Sequence, residues 1–323
     1  MSGEDTFIRR HFAPLAGPGA FDLRDDAAVI RPPPGCDLVV TTDAVVAGVH
    51  FFPQDPPGDI ARKALRVNLS DLAAKGASPL GFLLTIALPS DIGDDFVASF
   101  AAALGADALN YACPLLGGDT VSTPGPLTVS ITAFGAVPSG TMAPRDGARD
   151  GDHLFVTGTI GDAALGLLVL KNDPQLAALA STHRDFLADR YRNPQPRSAL
   201  AQAVRNYADA AMDVSDGLAG DLAKMLGLAG LAALIDVSDV PLSPAASAAL
   251  ESVPELLSTV LSGGDDYELL CAVPASKARH FHREAADADV AIAHLGRCHV
   301  GGNVAFSKDG RAILLDRLSY SHR

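Results

Sequence analysis

The sequence predicts a two-domain α/β chain, and three observations carry that prediction. At 323 residues the chain is longer than one hydrophobic core usually serves. Strand-like runs rich in Val, Ile, Leu and Thr alternate with longer helical segments in both halves. Between the halves, 138–152 is dense in Gly, Pro, Arg and Asp, the composition of a linker. The expected domains are 1–138 and 149–323.

Composition narrows the function. A hydrophobic fraction of 48% supports real cores and argues against long disorder. A net charge of −13 speaks against nucleic acid or an anionic membrane as partner, and anionic substrates would need cations to mediate their binding. Cys36, Cys113, Cys271 and Cys298 are scattered with no Cys-x-x-Cys, which suits a reducing compartment and suggests neither zinc nor a disulfide frame. The N-terminus is polar and acidic, unlike a signal peptide, and no apolar run is long enough to span a membrane. The expectation is a cytoplasmic protein.

In the first half, 7–12 reads as a short helix, followed by a Gly/Pro-rich loop. Asp25 and Asp26 then precede a small apolar strand; adjacent carboxylates repel, so the pair wants a cation or open water. Leu38-Val-Val-Thr-Thr-Asp43 reads as a strand, and its period of two puts Val39, Thr41 and Asp43 on one side. His50 follows in an apolar loop, where a lone His is more often packed than a ligand.

The segment Asn68-Leu-Ser-Asp-Leu-Ala-Ala-Lys-Gly-Ala77 reads as the end of a helix, with Asp59 as N-cap and Gly76 as the residue that stops it. At 3.6 residues per turn Asp71 shares a face with Ile60, Ala64, Val67 and Asn68, and Leu65, Leu69 and Leu72 widen the buried stripe. Arg62, Lys63, Arg66 and Ser70 are expected to face water. Asp71 therefore looks inward, where a carboxylate needs compensation. A strand over 82–88, a helix over 94–110 and a strand over 127–137 complete this half. Gly117 and Gly118 precede Asp119, either to let backbone approach a ligand or simply to make a turn.

In the second half, a strand over 153–157 turns through Gly158-Thr-Ile-Gly161-Asp162 into a helix over 163–170. Such a corner can cradle phosphate, but without Gly-Lys-Ser/Thr close helix–strand packing is the better reason for its glycines. Ala211-Met-Asp-Val-Ser-Asp-Gly217 is a second corner before a helix over 218–228; Asp213 and Ser215 share a side, and Asp216 reads equally as N-cap or as ligand. Ser262-Gly-Gly-Asp-Asp-Tyr-Glu-Leu269 is a third, before a strand over 269–273, and 313–320 reads as a last strand and loop.

Asp26, Asp43, Asp71 and Asp119 sit beside Gly, Thr, Ser or Asn at element ends. Hard oxygen donors without His or Cys suit magnesium, which bridges to nucleotide phosphates. No zinc or EF-hand spacing occurs, and Arg145 in the linker is one of few cations near these acids.

Taken together, the ordered motifs resemble the thiamine-monophosphate kinase family of the aminoimidazole-ribonucleotide-synthetase-like superfamily. The carriers are Arg-Asp-Asp-Ala-Ala (24–28), Thr-Thr-Asp-Ala-Val-Val-Ala-Gly-Val-His-Phe (41–51), Asn-Leu-Ser-Asp-Leu-Ala-Ala-Lys-Gly-Ala (68–77), Gly-Gly-Asp-Thr (117–120), Val-Thr-Gly-Thr-Ile-Gly-Asp (156–162), Asp-Val-Ser-Asp-Gly-Leu (213–218) and Ser-Gly-Gly-Asp-Asp-Tyr-Glu-Leu (262–269). The resemblance implies ATP-dependent phosphorylation of thiamine monophosphate to thiamine diphosphate, with several magnesium ions. It implies Asp26, Thr41, Thr42, Asp43, Asp71, Asp119, Asp213 and Asp216 as metal ligands, with Asp43, Asp71 and Asp119 central to catalysis. Gly118, Asp119, Arg145 and Ser215 match nucleotide-contacting positions, and His50, Asp265 and Arg317 match positions at the acceptor. It further implies an N-terminal mixed sheet with helices that pairs with its twin into a barrel in a homodimer, and a C-terminal α/β domain.

The chain departs from the family pattern at Asp22-Leu-Arg24, where glycines are usual, at Asp265 in place of Glu, and at Arg317 in place of an aromatic that Tyr320 could replace. Two alternatives remain open at this stage: another ATP-using enzyme of the superfamily, and a non-catalytic nucleotide- or thiamine-phosphate-binding protein.

Overall fold

The computed structural model describes residues 3–315 and 318–319. Arg317 and Tyr320 lie outside the described residues. Contacts divide the chain into two compact units, Met1–Leu72 with Ala77–Gly140 and Ala73–Gly76 with Thr141–Arg323.

The first unit carries α1 (Gly3–His11), β1 (Cys36–Val46), α2 (Pro57–Ala74), β2 (Ser78–Pro89), α3 (Asp94–Asn110), β3 (Leu115–Thr123) and β4 (Thr128–Pro138). Its mixed sheet has the order β1-β4-β2-β3, antiparallel except for the parallel β2–β3 pair. One face is the core: Val39 and Val45, Ile131 and Ala133, Phe82, Leu84 and Ile86 pack against Ile60, Leu65, Leu69 and Leu72 of α2 and Phe100 and Leu104 of α3. On the other face, Leu38 and Val40 remain 41% and 53% exposed.

α2 begins at Pro57, where a missing N–H is harmless. Asp59 therefore lies inside the first turn and pairs with Arg62 at 2.9 Å instead of capping the helix. The helix ends as expected. Gly76 has φ +72°, its N–H donates to Ala73 O, and Ala77 N–H donates to Leu72 O, the paired bonds of a Schellman stop.

The expectation that Lys63, Arg66 and Ser70 face water is corrected. Lys63 is 1% exposed and its Nζ donates to His50 O at 2.8 Å, while Ser70 is fully buried. Arg66 forks onto Asp107 of α3 at 2.6 and 2.9 Å. The polar side of α2 is covered by α3 and the 47–55 loop, so its cations find protein partners in place of water.

Gly117 and Gly118 lie within β3, not in a turn. A Cβ on Gly118 would stand 1.7 Å from Leu84 O, so this strand passes its neighbour too closely for any side chain there.

The second unit is built on the antiparallel sheet β10-β5-β9-β6, formed by β5 (His153–Thr157), β6 (Ala210–Asp213), β9 (Leu269–Val273) and β10 (Ile292–Arg297). Leu154, Val156, Met212 and Leu270 face α7 (Leu218–Leu228). Phe155, Ala211 and Cys271 face the opposite layer, made by α6 (Ala201–Tyr207) and α10 (Ala275–Asp287). Near the α4 (Asp162–Leu170) end, a buried polar knot joins several elements. Glu268, fully buried, accepts from Thr157 Oγ1 at 2.6 Å, Arg190 Nη2 at 2.9 Å and Arg197 Nε at 2.6 Å.

Glu268 is the anion that makes two guanidinium groups tolerable inside this unit. Glu268→Leu is expected to lower stability by about 3–5 kcal/mol, read as a drop in the denaturant midpoint of the second unit's unfolding. An unchanged midpoint would contradict this account of the knot.

Candidate active site

Strand parity and the α2 face build the first part of the site. Thr41 and Asp43 point to the helix side of the sheet, the side on which Val39 and Val45 are buried. There Thr41 Oγ1 donates to Asp71 Oδ2 at 2.5 Å. Asp43 still reaches solvent, yet the protein around its carboxyl displaces enough water to raise its pKa from 3.8 to about 6, and the neighbouring Asp71 charge adds to the rise. The strand and the helix thus bring a hydroxyl onto Asp71, with Asp43 near enough for the two carboxylate charges to repel.

The remaining acids of this unit are elsewhere. Thr42 points to the opposite face and meets Thr132 Oγ1 at 3.0 Å. Asp119 pairs in register with Thr85 on that same face. Asp26 and Asp119 line one cavity of ≈ 780 Å³, whose wall also includes Asp25, Gly118, Phe12 and Leu23. Among the described residues no three His, Cys, Asp or Glu side chains converge as a ready metal cage.

His50 is held in the turn after β1. Its Nδ1 accepts from Val46 N–H at 3.1 Å, which leaves Nε2 as the protonated nitrogen of the neutral ring.

In the second unit two of the acidic corners interlock. Asp265 N–H donates to Ser215 O at 2.9 Å and Tyr267 N–H to Val214 O at 2.8 Å. A Cβ on Gly264 would stand 2.3 Å from Ser215 O, and one on Gly217 would stand 2.6 Å from the carbonyl carbon of Ser262, so both corners need their glycines. Asp265 and Tyr267 take left-handed φ of +72° and +51° and are half-buried, whereas Asp266 and Glu268 are buried. Asp213 ends β6 and is buried.

Asp216 is not a cap. Gly217 precedes α7 without a side-chain cap bond, and Asp216 is ion-paired with Lys224. The fully buried Asp221 shapes the corner by accepting from Ser215 N–H at 3.0 Å and Asp216 N–H at 2.9 Å. Arg145 is exposed in the linker.

The corner over 158–162 is not a phosphate cradle. Asp266 accepts from Gly161 N–H at 2.7 Å and Ala163 N–H at 3.1 Å, so the α4 N-terminus already holds a carboxylate. A Cβ on Gly158 would stand 2.1 Å from Glu268 Oε1, and one on Gly161 would stand 2.6 Å from Val260. Close packing explains both glycines, as expected. Sequence reasoning missed Asp221, Asp266, Glu268 and Lys224 as shapers of these corners. The i,i+3 spacing of Asp221 and Lys224, and the alternation of Asp266 with Glu268 before a strand, were the available signals.

An acid with a raised pKa takes its proton early, so the negative charge of Asp43 is lost as pH falls through about 6. Magnesium affinity of the nucleotide-free protein is expected to weaken roughly fourfold between pH 7.5 and 5.5, measured by calorimetric titration. Constant affinity over that range would count against Asp43 as a ligand.

Similarity to known proteins places the chain in a family. Residues 24–137 match the family model of the AIR synthase related protein N-terminal domain, and 149–308 match the C-terminal domain. The chain is 44% identical to the thiamine-monophosphate kinase of Caulobacter vibrioides over 98% of this chain and 89% of that protein. The crystal structure of thiamine-monophosphate kinase from Stenotrophomonas maltophilia K279a superimposes with a TM-score of 0.80 at 36% identity, covering 90% of this chain and 91% of that one. A structure of AaThiL complexed with AMPPCP and TMP gives a TM-score of 0.79 at 28% identity, covering 93% and 91%. With both domain models matched in order and a close relative aligned along nearly the whole chain, this protein belongs to the thiamine-monophosphate kinase family of the AIR synthase related proteins.

Proposed function

We propose that this chain transfers the γ-phosphoryl group of ATP to the phosphate of thiamine monophosphate, giving thiamine diphosphate and ADP. The observation that carries the reading is the Asp43–Asp71 pair, a preformed concentration of negative charge that a divalent cation relieves. A complex of AaThiL with AMPPCP and TMP supports the substrate pair.

The donor set fits magnesium: carboxylate and hydroxyl oxygens, with no His or Cys among them. Magnesium bound there would offset the charge of two anionic phosphates and hold them in line. Asp43, Asp71 and Thr41 would hold one magnesium ion, and Asp26, Thr42, Asp119, Asp213 and Asp216 would serve as ligands of further ones. Thr41 orients Asp71 by donating to one oxygen and leaving the other open. Gly118, Asp119, Arg145 and Ser215 contact the nucleotide. His50, with Nε2–H as its donor, lies with Asp265 and Arg317 at the acceptor. The acceptor phosphate is already ionised at neutral pH, so the reaction needs positioning and charge neutralisation more than a strong base.

The domains run over 1–138 and 149–323. The enzyme works as a cytoplasmic homodimer in which the exposed sheet face around Leu38 and Val40 meets its twin and closes a shared barrel.

ADP release from magnesium-ATP is expected to depend on thiamine monophosphate and to yield thiamine diphosphate on chromatography. Nucleotide binding without that product would remove the proposed acceptor. Asp71→Asn and Asp119→Asn are each expected to lower kcat by at least about a hundredfold with an unchanged circular dichroism spectrum. Near-normal turnover in both would sink the metal-centred reading.

A further inference from the structure

Asn68 stands one turn before Asp71 on α2 and is fully buried. Its Nδ2 donates to Ala64 O at 3.0 Å. A carbonyl can only accept, which fixes the amide with its nitrogen toward Ala64 and its oxygen away. Oδ1 is then buried with no hydrogen-bond partner among the described residues.

A lone buried acceptor is a liability that folded chains rarely keep. Packing does not call for it, because an apolar residue would fill the same place with no acceptor left over. Helix geometry says where it belongs. Residues three apart share a face, and side chains lean toward the helix N-terminus, so the Asp71 carboxylate stands over the turn that holds Asn68. That is the side on which Thr41 meets Asp71.

We propose that Asn68 Oδ1 is a positioning acceptor of the Asp43–Asp71 cation site. It takes a hydrogen bond from a water in the shell of the divalent cation held by that pair. The inference rests on the reading of that pair as a cation site. Magnesium keeps several waters, and a water polarised by the ion is a strong donor in want of an acceptor. An amide serves here because it is neutral. A third carboxylate beside Asp43 and Asp71 would add like charge to a pair that already repels.

The test is titration of the full-length protein with magnesium chloride alone, read by calorimetry and by melting temperature. It uses the wild type, Asn68→Leu, Asn68→Asp and Asp71→Asn. Asn68→Leu is expected to melt no lower than wild type without metal and to bind magnesium about tenfold more weakly. The near-isosteric Asn68→Asp carries the test if Leu is not accommodated: it is expected to melt lower without metal and to show a larger magnesium-induced rise than wild type.

A purely structural Asn68 gives the opposite pattern, a lower melting temperature in Asn68→Leu with unchanged magnesium affinity, and that result overturns the inference. An Asn68→Asp protein whose magnesium-induced rise equals that of wild type overturns it as well. Asp71→Asn separates the two levels. If it loses magnesium while Asn68→Leu does not, only the role of Asn68 falls. If it binds magnesium like wild type, the cation-site reading falls too.

Discussion

Two carboxylates that must stand side by side set the terms for the first unit. Asp43 comes from a strand and Asp71 from a helix, so their approach depends on how α2 lies across the sheet. Holding it there takes a helix buried nearly all round, with Leu65, Leu69 and Leu72 in the core and even Lys63 and Ser70 enclosed. It also takes a sharp stop at Gly76, whose added Cβ would stand 2.5 Å from the Arg205 Cβ. Among the described residues no cationic side chain bonds the pair, and Thr41 supplies only a neutral hydroxyl. An apolar residue or an Arg at either position would relieve the repulsion between the two carboxylates, and under the proposed function the pair is kept because a divalent ion relieves it instead.

Much of this was legible in the sequence. Residues 94–110 form the helix their alanine-rich pattern predicts, and the Gly76 stop follows from a glycine placed after the last apolar turn. The period of two correctly put Thr41 and Asp43 on one side. Strand and helix periodicity carry this information locally, with no knowledge of what lies opposite. The failures share the converse cause. Lys63 and Ser70 look solvent-facing on a helical projection, and only the long-range placement of α3 and the 47–55 loop encloses them. Gly117 and Gly118 look like a turn, and only the crowding of β2 against β3 makes them strand residues.

The acids in the second unit show the same limit more sharply. Asp-rich corners announce chemistry in the sequence, but which carboxylates face outward depends on partners far along the chain. Asp266 and Glu268 are consumed inside the fold, by the α4 N-terminus and by Arg190 and Arg197. Asp265, just before them, is half-buried and has a left-handed φ. Nothing in Asp-Asp-Tyr-Glu alone separates these roles, because the arginines that decide them lie about seventy residues earlier. The resemblance to thiamine-monophosphate kinases marks Asp265 by position alone.

The most direct test of the cation-site account is the titration of Asp43 itself, followed by carboxyl carbon NMR in metal-free protein. The account requires Asp43 to titrate near 6, and to titrate lower in Asp71→Asn, where one of the two causes of its raised pKa is gone. Added magnesium should suppress the titration in wild type. An Asp43 that titrates near 4 in both proteins, indifferent to magnesium, would mean that the two carboxylates do not share a site.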